Sequence, residues 1–550
     1  MGDFLMVLSR RLVFILLSCM GLGSLAMRYP ESHEIGIDSF AIHTLAQSIL
    51  SEGRAPWVLS PISYFGWFPA SYPAAGPFAL ASLAALASTP VEGAILLSSM
   101  VLGLVGILTS FVMAREFRND VRFSLCVAFF YAFAPRFLAF NLWQASTRNL
   151  FMAVLPLFIW ALLRFYRERK PQDLVLIGIS LLTLAAAHRL AAITVLMAIS
   201  FLFAVVLVTV LRIARRLRPA IVLRISHAGI TRWLALAASL GMGVTFLVAT
   251  NVLSQYKVGE LASGATLPTE VFNLGISITR SVGLAAPLAV IGLIYAPWLR
   301  GPGLREIFAT VGLITLVPTL LLRDYTGFYI LPFLAVFAAY GLLGVARRLG
   351  KHPRFLRTVY ATAIVAVVAL SGAVLSYEVA HTPSLSPATY DLGLYSSRAA
   401  MNNSVVCNEP VLCSRLAAIG RVRVIPTAIG SSGYPSPEVL IFGYYSGDDI
   451  LQRIVRVPIQ DLSINLDAFW TVEGINPSGD YFSIVQSPVD GIPPTLTARY
   501  HPSLYLETSA GFGLFYDEIG LPHPSPLANS IHQSSYAVYR DGVETLWWIP

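Results

Sequence analysis

The chain has 550 residues, of which 56% are hydrophobic and only 12% charged, with a mean hydropathy of +0.68 and a formal net charge of +8. A soluble globular protein carries roughly 25% charged residues, so the composition excludes an ordinary soluble enzyme and points to a multi-span membrane protein. The positive balance reads as basic loops held on the cytoplasmic side. No Arg/Lys cluster interleaved with aromatics stands in a soluble stretch, which argues against nucleic acid as a partner.

A span needs about 20 mostly apolar residues. Eleven candidates fall near 11–27, 93–114, 123–135, 149–163, 174–187, 190–211, 233–253, 283–299, 307–322, 326–346 and 358–377. The first follows Arg10 and Arg11 and shows no convincing cleavage site, so it reads as a retained span that also directs insertion. GPFALASLAALAS (76–88) is apolar but short: a re-entrant or interfacial helix, or half of a span. With the N-terminus inside, the inner loops hold 22 Arg and Lys and the outer loops before residue 378 hold 8. That asymmetry favours a cytoplasmic N-terminus, and an odd number of spans leaves the C-terminus outside.

From about residue 378 the character changes. Pro, Ser, Gly and Tyr rise, and apolar runs shorten to strand length in SVVC, VRVIP, VLIFGYY and YAVYR. The fold class read from the chain is therefore a polytopic α-helical membrane protein of about 11 spans, residues 1–377, followed by an extracytoplasmic α/β or α+β domain, residues 378–550. Cys407 and Cys413 frame CNEPVLC with no further zinc ligands nearby. A short-loop disulfide is the preferred reading and two free thiols the other. Cys19 and Cys126 lie in apolar runs and read as packing residues.

By this topology residues 28–75 form the first external loop. It contains HEIGIDSFAIHTLAQSILSEG (33–53), with Glu34, Asp38 and His43 close behind a membrane span. Apolar residues at Phe40, Ile42, Leu45, Ala46, Ile49 and Leu50 follow a helical period, which predicts an amphipathic helix on the membrane surface. The plain reading makes Asp38 the helix N-cap and His43 a surface residue. Other polar groups fall on the same side: Arg136 and Arg148 around RFLAFNLWQASTR, His188-Arg189 inside an apolar stretch, and Arg323 at the outer end of a span. A charge at bilayer depth is retained mainly where it lines a cavity or finds a partner. Arg28 and Arg54 read instead as side chains snorkelling to headgroups. Arginines at membrane level suit a phosphate whose tail stays in lipid. A carboxylate suits removal of a hydroxyl proton or binding of a divalent ion.

The order of these features resembles the GT-C superfamily of integral-membrane glycosyltransferases. The likeness is carried by GIDSFAIHTLAQSILSEG after the first span, by YPAAGPFALASLAAL before the second, by a span ending in AREF, by ASTRNLFMAVLPLFIWALL and by RDYTGFYILPFLAVFAAYGLLG, over roughly residues 10–377. The resemblance implies a polyprenyl-phosphate-linked sugar donor, a glycan, lipid or protein acceptor, and work on the extracytoplasmic face of an archaeal or bacterial plasma membrane. It implies Asp38 as catalytic base or metal ligand. Glu34 lies four residues earlier, and His43 matches a histidine seen after that acid in oligosaccharyltransferase-like members. By position it implies Arg148, His188, Arg189 and Arg323 as donor-phosphate contacts. The second acidic pair of the oligosaccharyltransferase branch is missing from RFLAFNLWQASTR, and Trp547-Trp548 stands in ETLWWIP at the end of the chain rather than in a WWDYG-type motif. These departures favour transfer of one sugar without a metal, while a Mg or Mn ion stays open. A lipid-linked substrate transporter or flippase is the alternative. It lacks support from internal repeats and from charges at mid-span. A receptor-like protein would account for residues 378–550 but not for the polar outer ends of the spans.

Overall fold

The computed structural model describes residues 9–28, 33–53, 75–188, 191, 193–217, 267–295, 303–321, 327–348, 362–374, 387–399, 404–407, 415–416, 418–421, 423–426, 504–508, 514–516, 522–524, 536–540 and 544–548. The helices, in chain order, are α1 (Arg10–Ala26), α2 (Ile37–Glu52), α3 (Ala75–Ala87), α4 (Val91–Phe117), α5 (Val121–Ala132), α6 (Pro135–Ala139), α7 (Thr147–Glu168), α8 (Pro171–Ala187), α9 (Ile193–Leu217), α10 (Leu267–Val282), α11 (Ala286–Tyr295), α12 (Leu304–Leu316), α13 (Gly327–Arg348), α14 (Thr362–Val374) and α15 (Pro387–Ala399). Among the described residues, five segments are long and apolar enough to cross a membrane: Val91–Phe117, Thr147–Glu168, Ile193–Val210, Leu274–Tyr295 and Gly327–Ala346. Helices α3, α5, α8 and α14 are apolar but shorter. The chain is a multi-pass, mostly helical membrane protein. The expected span at 233–253 lies outside the described residues, as does the strand expected at VLIFGYY.

The chain divides into two compact units: residues 1–30, 99–142 and 147–381, and residues 31–98, 143–146 and 382–550. In the first unit α13 is the axis. Of its apolar stretch 89% is buried, whereas α4 and α9 bury 39% and 44% of theirs. The difference separates a helix enclosed by protein from helices with a lipid-facing side. Exposed Leu202, Val206 and Val210 on α9, and Val175, Ile179 and Leu182 on α8, mark those sides. Around α13 the core is aromatic, with Phe123, Phe130, Phe151, Phe308, Phe333 and Phe337 all buried. Helices α11 and α13 meet through glycine. A Cβ on Gly292 would overlap the Phe337 carbonyl oxygen, and one on Gly341 would overlap that of Leu288. Small residues let membrane helices cross at backbone contact.

Pro156 lies inside α7 and leaves the carbonyl of Met152 without its helical N–H partner. The Tyr131 hydroxyl of α5 donates to that carbonyl at 2.5 Å, so the proline is accommodated without an orphaned acceptor in the bilayer. At the other end of α7 the expected inner-loop bases are tied to acids. Arg167 meets Glu116 at 2.7 Å, Arg164 meets Asp173 at 3.2 Å and Lys170 meets Glu168 at 2.8 Å.

Arg28 corrects the snorkelling expectation. It is fully buried, its Nη1 donates to the Ser24 carbonyl at 2.6 Å and to the Ser24 hydroxyl, and it lies 5.6 Å from the Phe137 ring. Gly103 of α4 makes the room, since a Cβ there would overlap the guanidinium. Arg54 lies outside the described residues. Of the apolar-run cysteines, Cys126 packs against the core but Cys19 is exposed on α1, and both are free.

In the second unit α2 packs on α3 around Ile42, Ala46, Leu80, Ala81, Ala84, Trp143 and Ala145. The strands are β1 (Ser404–Cys407), β2 (Arg423–Pro426), β3 (Leu504–Thr508), β4 (Leu514–Tyr516), β5 (Pro522–Pro524), β6 (Tyr536–Arg540) and β7 (Glu544–Trp548). Five of them form a mixed sheet in the order β2-β1-β3-β7-β6. Strand β1 is parallel to both neighbours, and β7 is antiparallel to both of its own. Trp547 and Trp548 are thus sheet residues opposite Tyr505 and Leu504.

Candidate active site

The site is built where the chain turns into α2. Gly36 is the N-cap, with φ 87°, a backbone that side chains rarely adopt. A Cβ there would also overlap the Gln144 side-chain oxygen. The helix therefore starts at Ile37, and Asp38 is its second residue. This corrects the capping reading of Asp38: no side chain caps the helix. The Asp38 side chain itself lies outside the described residues.

Glu34 lies just before that turn with its side chain 1% exposed. Its Oε1 is bonded to His43 Nδ1 at 2.6 Å, and its Oε2 accepts from the Ser39 hydroxyl at 2.9 Å. Ser39 Oγ in turn accepts the Ala145 N–H at 2.7 Å. His43 is buried, not on the surface, and so are Phe40, Ile42, Thr44, Leu45 and Ala46 around it. The expected surface helix is therefore enclosed on several sides through its first two turns. The polar side is sealed because Glu34, lying outside the helix, supplies the partner that His43 needs on burial.

Glu92, His33 and Tyr390 complete the cluster, and local spacing pointed to none of them. Glu92, in the first turn of α4, accepts the Glu34 N–H at 3.2 Å and is bonded to His33 Nδ1 at 3.0 Å, both through Oε1. The Glu92 carbonyl accepts Trp143 Nε1 at 3.1 Å, and the Trp143 carbonyl accepts the Ile35 N–H at 2.8 Å. Tyr390 of α15 stacks on His33, with ring centroids 4.0 Å apart and planes 20° from parallel. Partial desolvation pushes the Tyr390 phenol up, and the negative charges of Glu92 and Asp391 add to it. Segments 33–39, 92, 143–145 and 390 are thus sewn into one acid and imidazole cluster, all within the second unit.

The expected phosphate contacts belong to the first unit. Arg148 sits over the Phe140 ring at 4.7 Å. His188 caps the C-terminus of α8 and is buried edge-on to Phe151 and Phe328, at 5.8 and 5.3 Å. Phe328 is the second residue of α13, so the C-terminal end of α8 and the N-terminal end of α13 come together there. Arg189, Arg323 and Cys413 lie outside the described residues, and the expected Cys407–Cys413 disulfide lies outside with them. Among the described residues no group of three or more His, Cys, Asp or Glu could hold a metal ion.

No protein-family model matches the chain, and no curated protein matches it. Solved structures do. The crystal structure of ArnT from Cupriavidus metallidurans bound to undecaprenyl phosphate superposes with a TM-score of 0.54 at 15% identity, covering 98% of this chain and 97% of that one. The Archaeoglobus fulgidus oligosaccharyltransferase, crystallised with zinc and sulfate, gives 0.52 at 13% identity over 80% and 67%. The chain has the GT-C fold. Mycobacterial arabinofuranosyltransferase AftD also aligns with 98% of this chain, which spans only 40% of AftD, at a TM-score of 0.47. Glu34 and His43 stand in the segment that the sequence likeness marked out, and Glu92 and His33 are joined to Glu34 there.

Proposed function

We propose that this chain is a GT-C glycosyltransferase that moves a sugar from a polyprenyl-phosphate donor to an acceptor hydroxyl on the extracytoplasmic face of the plasma membrane. The observation that carries the reading is a buried Glu34–His43 pair, with both Glu34 carboxylate oxygens hydrogen-bonded, at the start of the first-loop helix of a GT-C fold. Asp38 removes the acceptor proton. The acceptor oxygen attacks the anomeric carbon, and the bond to phosphate breaks with its electron pair leaving on polyprenyl phosphate. One displacement inverts the anomeric centre. Arg148, His188, Arg189 and Arg323 neutralise the departing phosphate. Glu34 and His43 hold the helix start on which Asp38 sits. If a Mg or Mn ion takes part, Asp38 is its ligand and the ion supplies charge neutralisation at the same phosphate.

The chain runs with its N-terminus in the cytoplasm. The C-terminal domain, residues 378–550, lies on the outer face. Its clustering with the first-loop residues in one compact unit supports a common side for the two. The acceptor is a glycan, a lipid or a protein.

The test compares wild type with Asp38→Asn in lipid, following release of polyprenyl phosphate with and without EDTA. Loss of a general base costs roughly 10²–10⁴-fold. Turnover that falls by that much in D38N but survives EDTA supports metal-free base catalysis. Loss with EDTA assigns Asp38 to a metal, and wild-type turnover in D38N removes it from the mechanism.

A further inference from the structure

We infer that Glu92, His33 and Tyr390 form the acceptor subsite, and that it takes a sugar ring bearing adjacent hydroxyls rather than a lone side-chain hydroxyl. The inference rests on the glycosyltransferase reading and names the acceptor class for it.

Residues 33 and 34 each belong to a histidine–carboxylate pair, and the two pairs differ in reach. In the Glu34–His43 pair the side chains are 1% and 8% exposed, and both carboxylate oxygens are engaged. In the His33–Glu92 pair they are 21% and 18% exposed. The first pair is sealed inside the fold, and the second can meet a ligand.

The atoms left over define what that ligand offers. Glu92 Oε1 takes both His33 Nδ1 and the Glu34 N–H. Among the described residues Glu92 Oε2 and His33 Nε2 carry no partner. A carboxylate only accepts, so the His33 Nδ1–H points at Glu92, and His33 Nε2 and Glu92 Oε2 are the polar atoms left for a ligand. The pair thus offers two polar atoms on one rigid unit. It is fixed by the Trp143 bond to the Glu92 backbone and by the stack on Tyr390. Neighbouring hydroxyls of a sugar, each able to donate and to accept, meet both atoms at once. A serine or threonine supplies one hydroxyl and leaves the other atom unmatched, which a partly desolvated site penalises. Beside them the Tyr390 phenol adds an aromatic wall and a third polar contact. A purely structural staple accounts for Oε1 but not for the partial exposure of the His33 and Glu92 side chains.

The test uses full-length protein in lipid nanodiscs and follows binding by saturation-transfer NMR. The probes are the methyl pyranosides of mannose, glucose and galactose, against N-acetylthreonine methylamide. His33→Asn is the informative variant. Its amide N–H falls close to the Nδ1 position and keeps the bond to Glu92, while nothing remains at Nε2. At least one glycoside is expected to bind wild type better than the threonine derivative. H33N and E92Q are expected to weaken it about tenfold or more, with the melting temperature of H33N and its affinity for polyprenyl phosphate at wild-type values. Wild-type glycoside affinity in H33N, equal binding of the threonine derivative, or no binding of any glycoside overturns the inference. The parent reading fails separately, in the donor-release assay, so release of polyprenyl phosphate without glycoside binding sinks only the subsite.

Discussion

Gly341→Ala is expected to yield no correctly folded protein. Helix α13 is the most buried of the apolar helices, and at Gly341 its backbone lies against the Leu288 carbonyl of α11. Gly292 answers from the other side, against the Phe337 carbonyl. An added methyl at either glycine meets backbone, and backbone within two helices cannot swing aside as a flexible side chain can. Overpacking a core costs about 1–3 kcal/mol where side chains can adjust, and more where they cannot. Gly178 of α8 supplies the control, since a Cβ there meets nothing within 4 Å. Size-exclusion profiles in detergent should show aggregate for G341A and G292A and a wild-type peak for G178A. A monodisperse G341A of wild-type melting temperature would show that α11 and α13 do not cross at backbone contact.

The second large effect belongs to Glu34. Removing one partner of a buried ionisable pair costs about 3–5 kcal/mol, because the other is left without compensation. Glu34→Leu strands the buried His43, and also the Ser39 hydroxyl. His43→Leu strands the acid. The double variant E34L/H43L removes both polar groups, and an apolar replacement of a whole buried pair is often near neutral. Thermal unfolding should therefore show each single variant strongly destabilised and the double variant less so than the sum. Additive losses would mean that the two side chains do not depend on each other.

How much of this was legible in the sequence depends on the range of the interaction. Apolar runs marked helices at α1, α4, α7, α9 and α13, because a span is a local property of composition. Glu34, Asp38 and His43 stood out because they are close together behind a span. What they do was less legible. The partner of His43 is nine residues away across a turn at Gly36, so helical spacing missed it. Glu92 reads locally as an ordinary acid in a helix first turn. Only the fold brings it to residues 33 and 34, across 58 positions or more. Trp143, Ala145 and Tyr390 are invisible for the same reason. Arg28 was misread because snorkelling is the default for a basic residue at a span end, and the groove made by Gly103 on another helix removes that default.

The most direct measurement is the fate of the donor. Purified protein is reconstituted into liposomes carrying a polyprenyl-phosphate sugar in one leaflet, with glycoside and peptide acceptors outside. The account predicts release of free polyprenyl phosphate and appearance of the sugar on an acceptor with inverted anomeric configuration. Passage of intact donor to the other leaflet with no release, at the same rate in D38N, would contradict it and identify a flippase.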